Sequence, residues 1–391
     1  MRKVISSIIF LNLINSVASL FLHMSSSPIV VGLNAALQRR VELPGRLQVG
    51  SVNRASVSST GVGGKGQGAW LATQQLGAAA AAAVQAAADE ASDALPLLVQ
   101  FIGTGNEGDQ LAAALRAKAP GADEGMWVRT AAPTRICTTL VSADSGEATE
   151  IVEPSGGILP GEYETLLSAL DESTAGQAPG VLLMGSMPPG VPGDAYGAVV
   201  RAAASEATKV VIDSVTGFDA TAEAVAAQGC PALLKLNGRE LLALAGEAPP
   251  AGSDSEVACD PASVAAAACK LAAKAGGGKA LAAVCWTDGP FPGGVYDCGT
   301  GKRWALAMPP LPGPVLSPVG AGDAVAGGTF HAWLRPGETS SSVDSGVPVV
   351  VRAFAFGLAC GAASCLTAEN SVFDLATVRS IHAAIEIIEG Q

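Results

Sequence analysis

Asp323 stands directly behind Gly320-Ala321-Gly322 in the stretch SPVGAGDAVAGG (317–328), and the chain beyond it turns small and apolar, as a packed helix does. The first backbone N–H groups of a helix have no intrahelical partner and attract anions. A carboxylate placed there is either a helix cap or a base beside a bound phosphate. A second set is GVGGKGQGAW (61–70), in which glycines surround Lys65. Gly61-x-Gly63-x-x-Gly66 has the form of a dinucleotide fingerprint, but its lead-in is hairpin-like and an alanine tract fills the place of the acidic residue. A Walker loop is excluded, because Gly66 follows Lys65 where Ser or Thr is needed. What remains is a glycine turn that presents one lysine. In KLNGREL (235–241), Asn237 and Glu240 lie three residues apart. Two oxygen donors at that spacing suit Mg2+ held through water. The same pair also reads as a capping box, with Asn237 as N-cap and Glu240 at the third helical position. MGSMPPGVPGDAY (184–196) is, taken alone, a strand–helix connector.

The elements that must position these sets alternate along the chain. PIVVGLN (28–34) is a short β-branched run and predicts a buried strand. Residues 41–60 alternate short extended pieces with turn residues, as a hairpin-rich element does. The glycine turn at 61–70 leads into a helix that enters an alanine tract from Ala78, a low-complexity insertion. Residues 97–117 read as strand, glycine turn and helix, and 134–156 as a second hairpin around ADSGE. Strand–helix units follow at GVLLMGS, KVVIDSV and ALLKLNGREL, with a further strand at LAAVCWTDGP. Two extended pieces precede Asp323, and Ala/Gly-rich helices run from there to the end. This alternation predicts an α/β fold, a mostly parallel sheet with helices on both faces. Ligands then gather at the carboxyl ends of the strands.

Composition narrows the chemistry. Apolar residues make up 49% of the 391 and charged ones 15%, enough for a large core and unlike a disordered chain. The net charge of −12 leaves no basic stripe for a nucleic-acid backbone. The eight cysteines form no CxxC pair and sit in apolar segments, which reads as buried thiols in a reducing compartment. Three histidines give poor support to a metal cluster or a Ser-His-Asp triad, and His331 reads as a packed helical residue. The stretch MRKVISSIIFLNLINSVASLFLHMSSS opens basic and runs apolar to Leu22, the layout of a secretory signal or an organelle leader. Asn12 and Asn15 weaken a membrane span there. The alternative start at Met24 makes residues 1–26 an extension outside the fold and the protein cytoplasmic; a real leader implies an organelle, such as a plastid, or the secretory route.

In their order, these segments resemble the PfkB/ribokinase-type carbohydrate kinases, nearest the sugar-phosphate branch typified by 1-phosphofructokinase and tagatose-6-phosphate kinase. The resemblance is carried by GLNAALQRR, VGGKGQ, GTGNEGD, TRICTTL with TEIVEPSG, GSMPPGVPGDAY, KLNGREL, TDGP and VGAGDAVAGG, and it runs over residues 28–388. It implies a ribokinase-like domain with a small β-sheet lid from about 41–60 and 134–153, able to pair between subunits in a homodimer. It implies transfer of the ATP γ-phosphate, with Mg2+, to a hydroxyl of a sugar or sugar phosphate. Asp323 matches the family's general base, and Gly320, Ala321 and Gly322 its anion hole, which also meets the nucleotide. Thr287, Asp288 and Gly289 match the nucleotide-binding strand end. Asn237 and Glu240 match the motif that organises Mg2+ through water. Asn34, Gln38, Gly64, Lys65, Gly66 and Arg135 fall where the family binds its acceptor.

The chain departs from the family pattern at four places. Gln38 replaces a common Asp, Gly68 a common Asn, Met184 a Ser, and Ser317-Pro318 the Asp-Thr ahead of the glycine turn. The transfer machinery is retained and the acceptor pocket altered. Lys65 and Arg135 favour a phosphorylated ketohexose, since a neutral acceptor needs no such pair of cations. A kinase of an unphosphorylated sugar or nucleoside, and a catalytically silent sugar- or nucleotide-binding regulator, are the alternatives.

Overall fold

The computed structural model of the protein describes residues 27–86, 95–252, 257–276, 280–339 and 346–390. The expected leader over 1–26 lies outside the described residues. A ten-stranded sheet forms the centre. Seven of its strands are parallel, in the spatial order β5 (Trp127–Thr130), β4 (Leu97–Gly103), β1 (Ile29–Val31), β8 (Gly180–Met184), β9 (Lys209–Asp213), β10 (Ala232–Asn237) and β11 (Leu281–Asp288). The antiparallel strands β12 (Phe291–Asp297), β13 (Arg303–Ala307) and β14 (Glu386–Gly390) extend one edge. β12 and β13 are the two extended pieces expected before Asp323. β14 is a strand where the sequence reading continued helix. Among the described residues its one neighbour is β13, and pairing with that edge makes a strand of EIIEG, which is mostly exposed.

Helices cover both faces because the central strands are apolar on both. The three side chains of β1 are fully buried, Ile29 and Val31 in one core and Val30 in the other, as the two-residue strand period requires. The first core is closed by α3 (Pro160–Thr174), α4 (Ala195–Ala203), α5 (Phe218–Gln228), α6 (Gly238–Leu244) and α7 (Pro261–Lys274). The second is closed by α1 (Lys65–Ala86), α2 (Asn106–Lys118), α8 (Ala321–Leu334) and α9 (Val349–Ser364). α10 (Leu375–Ala384) packs beside α9 through Val378 and Ile381. The alanine tract continues α1 as far as Ala86.

A separate four-stranded sheet stands beyond the large one, in the order β3 (Val57–Gly63), β2 (Ala36–Leu43), β6 (Arg135–Ser142), β7 (Ala148–Val152). It consists of two antiparallel hairpins joined by parallel pairing of β2 with β6. Its strands begin at Ala36 and run to Gly63, wider than the 41–60 expected, so Gln38 lies on the sheet itself. No disulfide joins the cysteines; five are buried, Cys298 and Cys365 are half-buried, and Cys269 is exposed. His331 is buried in α8. Among the described residues no helix is long and apolar enough to cross a membrane.

Candidate active site

The parallel strands end along one edge of the large sheet, and a cleft of about 670 Å3 opens between that edge and the small sheet. Asn34, Gln38, Gly64, Lys65, Gly66 and Arg135, predicted as acceptor contacts, all line it. So do Asn237, Glu240, Thr287, Gly320, Gly322 and Asp323. The other predicted residues have different surroundings. Ala321 is the first residue of α8. The Asp288 carboxylate is buried and accepts the Cys259 N–H at 2.8 Å. Gly289 makes the turn from β11 to β12 at φ 57°.

The start of α8 is built around Gly320, its N-cap at φ 83°. A Cβ there would fall 2.8 Å from Ser371 Oγ and 2.9 Å from Ser371 N, so only glycine fits. Ser371 is fully buried, and its Oγ donates to the Gly320 carbonyl at 3.1 Å. No side chain caps this helix. Asp323 sits at the third helical position, half-buried, and faces the cleft. Burial pushes its carboxyl up to about 8; Lys65 and Lys235 pull it down, while Asp213 and Glu150 push it up. A carboxyl so placed titrates near neutrality, where a general base is useful.

Lys65 opens α1, and its Nζ lies 3.0 Å from Glu240 Oε1 and 3.8 Å from Asp213 Oδ1. Burial works against its charge, but Asp213, Glu240 and Asp323 outweigh that and raise the ammonium above its ordinary value. α1 can start this close to the sheet because a Cβ on Gly66 would fall 2.2 Å from Gly32 Cα at the end of β1. Asn237 and Glu240 form a full capping box: Glu240 N–H donates to Asn237 Oδ1 at 2.7 Å, and Asn237 N–H to Glu240 Oε2 at 3.1 Å. The remaining oxygen, Glu240 Oε1, accepts from Lys65 Nζ at 3.0 Å, and both residues line the cleft, so the capping box and a place on the cleft wall are compatible.

At the other end of the cleft, Asn34 is locked between two serines. Its Nδ2 donates to Ser186 Oγ at 2.9 Å, and Ser155 Oγ donates to its Oδ1 at 2.8 Å. Arg135 Nη2 donates to the Asn34 carbonyl at 3.3 Å, while its Nε is buried without a hydrogen-bond partner among the described residues. Gln38 is buried and donates from Nε2 to Thr139 Oγ1 of the neighbouring strand at 2.7 Å. Met184 ends β8 buried in the cleft wall, and the Tyr196 hydroxyl holds that strand end by donating to the Met184 carbonyl at 2.6 Å.

Sequence reasoning missed Asp213, Lys235, Thr139 and Ser371. Asp213 and Lys235 did leave a signal, a charged residue in each of the buried apolar strands KVVID and ALLKLN. A charge is buried in such a strand only when it is paired. Thr139 and Ser371 left none, since their partners come from distant segments.

Comparison with known proteins agrees with this geometry. Residues 29–372 match the family described as pfkB family carbohydrate kinase. The chain is 30% identical over 302 residues to a 1-phosphofructokinase of Rhodobacter capsulatus, covering 77% of this chain and 82% of that protein. Among solved structures, the tetrameric inhibited form of phosphofructokinase-2 from Escherichia coli superposes with a TM-score of 0.68 at 21% identity, over 92% of this chain and 98% of that one. A ribokinase from Giardia lamblia superposes with a TM-score of 0.66 at 16% identity, over 91% of this chain and 99% of that one.

Proposed function

The chain belongs to the pfkB family of carbohydrate kinases, a phosphotransferase with an alcohol group as acceptor, and we propose that its acceptor is a sugar phosphate, a ketohexose phosphate above all. The observation that carries this reading is the presence of two cations, Lys65 and Arg135, in the cleft that holds Asp323. A forked guanidinium on the cleft wall suits a phosphate ester, and so does a lysine lining the same cleft.

In this reading Asp323 accepts the proton of the attacking hydroxyl. The N–H groups at the start of α8 meet the charge that spreads over the transferring phosphoryl oxygens. Asn34, fixed by Ser155 and Ser186, and Gln38, fixed by Thr139, orient the acceptor's hydroxyls. The small sheet covers the cleft and excludes water, to which the phosphoryl group would otherwise be lost. Asn237 and Glu240 supply hard oxygen donors on the cleft wall, and the described residues hold no group of three acidic, His or Cys ligands. That donor set fits Mg2+ bound through water and the nucleotide's own phosphates. When bound, the ion neutralises phosphate charge. Val57 and Ile151 are about half exposed on the small sheet, which supports pairing of two lids in a homodimer.

ADP release with ATP, Mg2+ and single acceptors tests the proposal. Turnover is expected on one of fructose 6-phosphate, fructose 1-phosphate or tagatose 6-phosphate. Turnover confined to fructose, ribose or adenosine would overturn the sugar-phosphate assignment. One observation favours that second reading: Lys65 is ion-paired with Glu240 and so is not held in reserve for a phosphate.

A further inference from the structure

Beneath the site lies a buried ion pair to which the transfer reaction, as described, gives no role. Asp213 ends β9, and Lys235 lies in β10, the neighbouring strand. Their side chains are 2% and 4% exposed, and Lys235 Nζ lies 2.6 Å from Asp213 Oδ2. Lys235 also donates to the Gly322 carbonyl at 3.0 Å. The second carboxylate oxygen, Asp213 Oδ1, is buried without a hydrogen-bond partner among the described residues and lies 3.8 Å from Lys65 Nζ. One carboxylate therefore stands between two ammonium groups. One of these touches the turn ahead of Asp323, and the other starts α1.

Stability is a weak reason for such a pair, because desolvating two ions offsets most of their attraction. Two apolar side chains would fill the same place. They would not bond the Gly322 carbonyl. The Gly320–Gly322 turn has two glycines in three residues, so its backbone is unusually free. A bond from a buried strand to the middle of the first helical turn removes that freedom.

We propose that Asp213 and Lys235 are positioning residues for phosphoryl transfer. Asp213 anchors Lys235 beneath the Gly320–Gly322 turn and holds Lys65 at its distance from that turn, so the anion hole, the base and the acceptor lysine keep a fixed spacing. The inference rests on the phosphotransferase reading of the site. The charged groups that face Asp323 are Lys65 from α1, Asp213 from β9, Lys235 from β10 and Glu150 from β7. Neutralising Asp213 removes a repulsion from the Asp323 carboxylate, and neutralising Lys235 removes an attraction. The two changes move the acid limb of the pH–rate profile in opposite directions.

The test compares the full chain with Asp213→Asn, Lys235→Met and the double variant, which leaves no buried charge unpaired if a single variant fails to fold. Hydrogen exchange of the amides of residues 319–326 is read first, in the unliganded protein. Exchange is expected to be about tenfold faster there in each variant, with the amides of β1 unchanged. An unchanged rate over 319–326 overturns the proposal whether or not the protein turns over a given acceptor. Kinetics give the second reading. A kcat loss of about 100-fold is expected, with the acid limb moved to lower pH in Asp213→Asn and to higher pH in Lys235→Met. Loss of activity together with melting temperature, the limb unmoved in both, would mean a merely structural pair. Absence of turnover by the unaltered chain on every acceptor, with the exchange result as expected, would sink the kinase reading and leave the anchoring of the turn intact.

Discussion

At the floor of the cleft the working groups are charged and come from strand ends and a helix start: Asp213, Lys235 and Asp323. The lid opposite presents Gln38, Cys137 and Thr139, buried and uncharged, flanked by the charged Arg135 at the start of β6 and Glu150 on β7. In the proposed transfer the floor holds the base Asp323, with Lys235 and the N–H groups of the helix start as the fixed positive groups that meet a spreading phosphoryl charge without reorganising. In the same proposal Gln38, held by Thr139, matches hydroxyls of the acceptor, and such a pair can be exchanged for another without touching the chemistry. The departures from the family pattern fall on both sides. Gln38 is on the lid, Met184 on the cleft wall, and Gly68 and Ser317-Pro318 lie beside the floor, where the glycine turn with Asp323 is itself retained.

Changes at the floor should therefore cost rate, and changes at the lid should cost choice of acceptor. The largest effect is expected from Asp323→Asn, a kcat loss of about 10³ to 10⁴ with ATP affinity kept. The same residue sets the pH dependence. Its folded-state value of about 8 lies above that of the unfolded chain, so ionising it opposes folding. Its contribution to stability is full below the ordinary carboxylate range and is lost as pH rises through about 8. The Asn variant should thus gain on the unaltered protein in melting temperature between pH 6 and pH 9, while kcat/KM of the unaltered protein rises through about 8. Melting curves and rate profiles over that range check both; a flat rate profile would remove Asp323 as the base.

Arg135→Ala comes next. Loss of a charge-assisted contact should raise KM for a phosphorylated acceptor by about 10- to 100-fold and leave KM for ATP within about threefold. An equal rise for fructose would take Arg135 off the phosphate. Gly68→Ala tests the floor from a neighbouring helix. Its Cβ would fall 2.7 Å from both Asp323 Oδ2 and Ser371 Oγ. The carboxylate can swing aside, so the cost should fall on kcat, roughly tenfold, more than on melting temperature. The smallest effect belongs to the lid. Thr139→Val frees the Gln38 amide and should change the ratio of kcat/KM between two acceptors by about three- to tenfold, the worth of one neutral hydrogen bond. A uniform loss of kcat would contradict the division between floor and lid.

Much of this division was legible before any coordinates. The hairpins around β3 and β7 and the glycine turn before Asp323 depend on residues close in the chain, and local pattern reports local structure. Asn237 and Glu240 show where that stops. Their spacing described the capping box correctly, but the second use of Glu240 depends on Lys65, 175 residues away. β14 failed for the same reason, since five residues at a chain end become a strand only where an open sheet edge receives them.

The amino-acid sequence by itself determined the α/β alternation, the order of the motifs and the placing of a carboxylate behind a glycine turn, because each is a property of neighbours in the chain. Only the tertiary structure decided what those groups face. Gln38 meets Thr139 across 101 residues, Lys235 meets Gly322 across 87, and Asp213 lies between two lysines that the chain keeps far apart. The buried charges of the floor carry their meaning in those partners. The cost of desolvating an ion is met by a specific neighbour, and a linear sequence does not say which one that is.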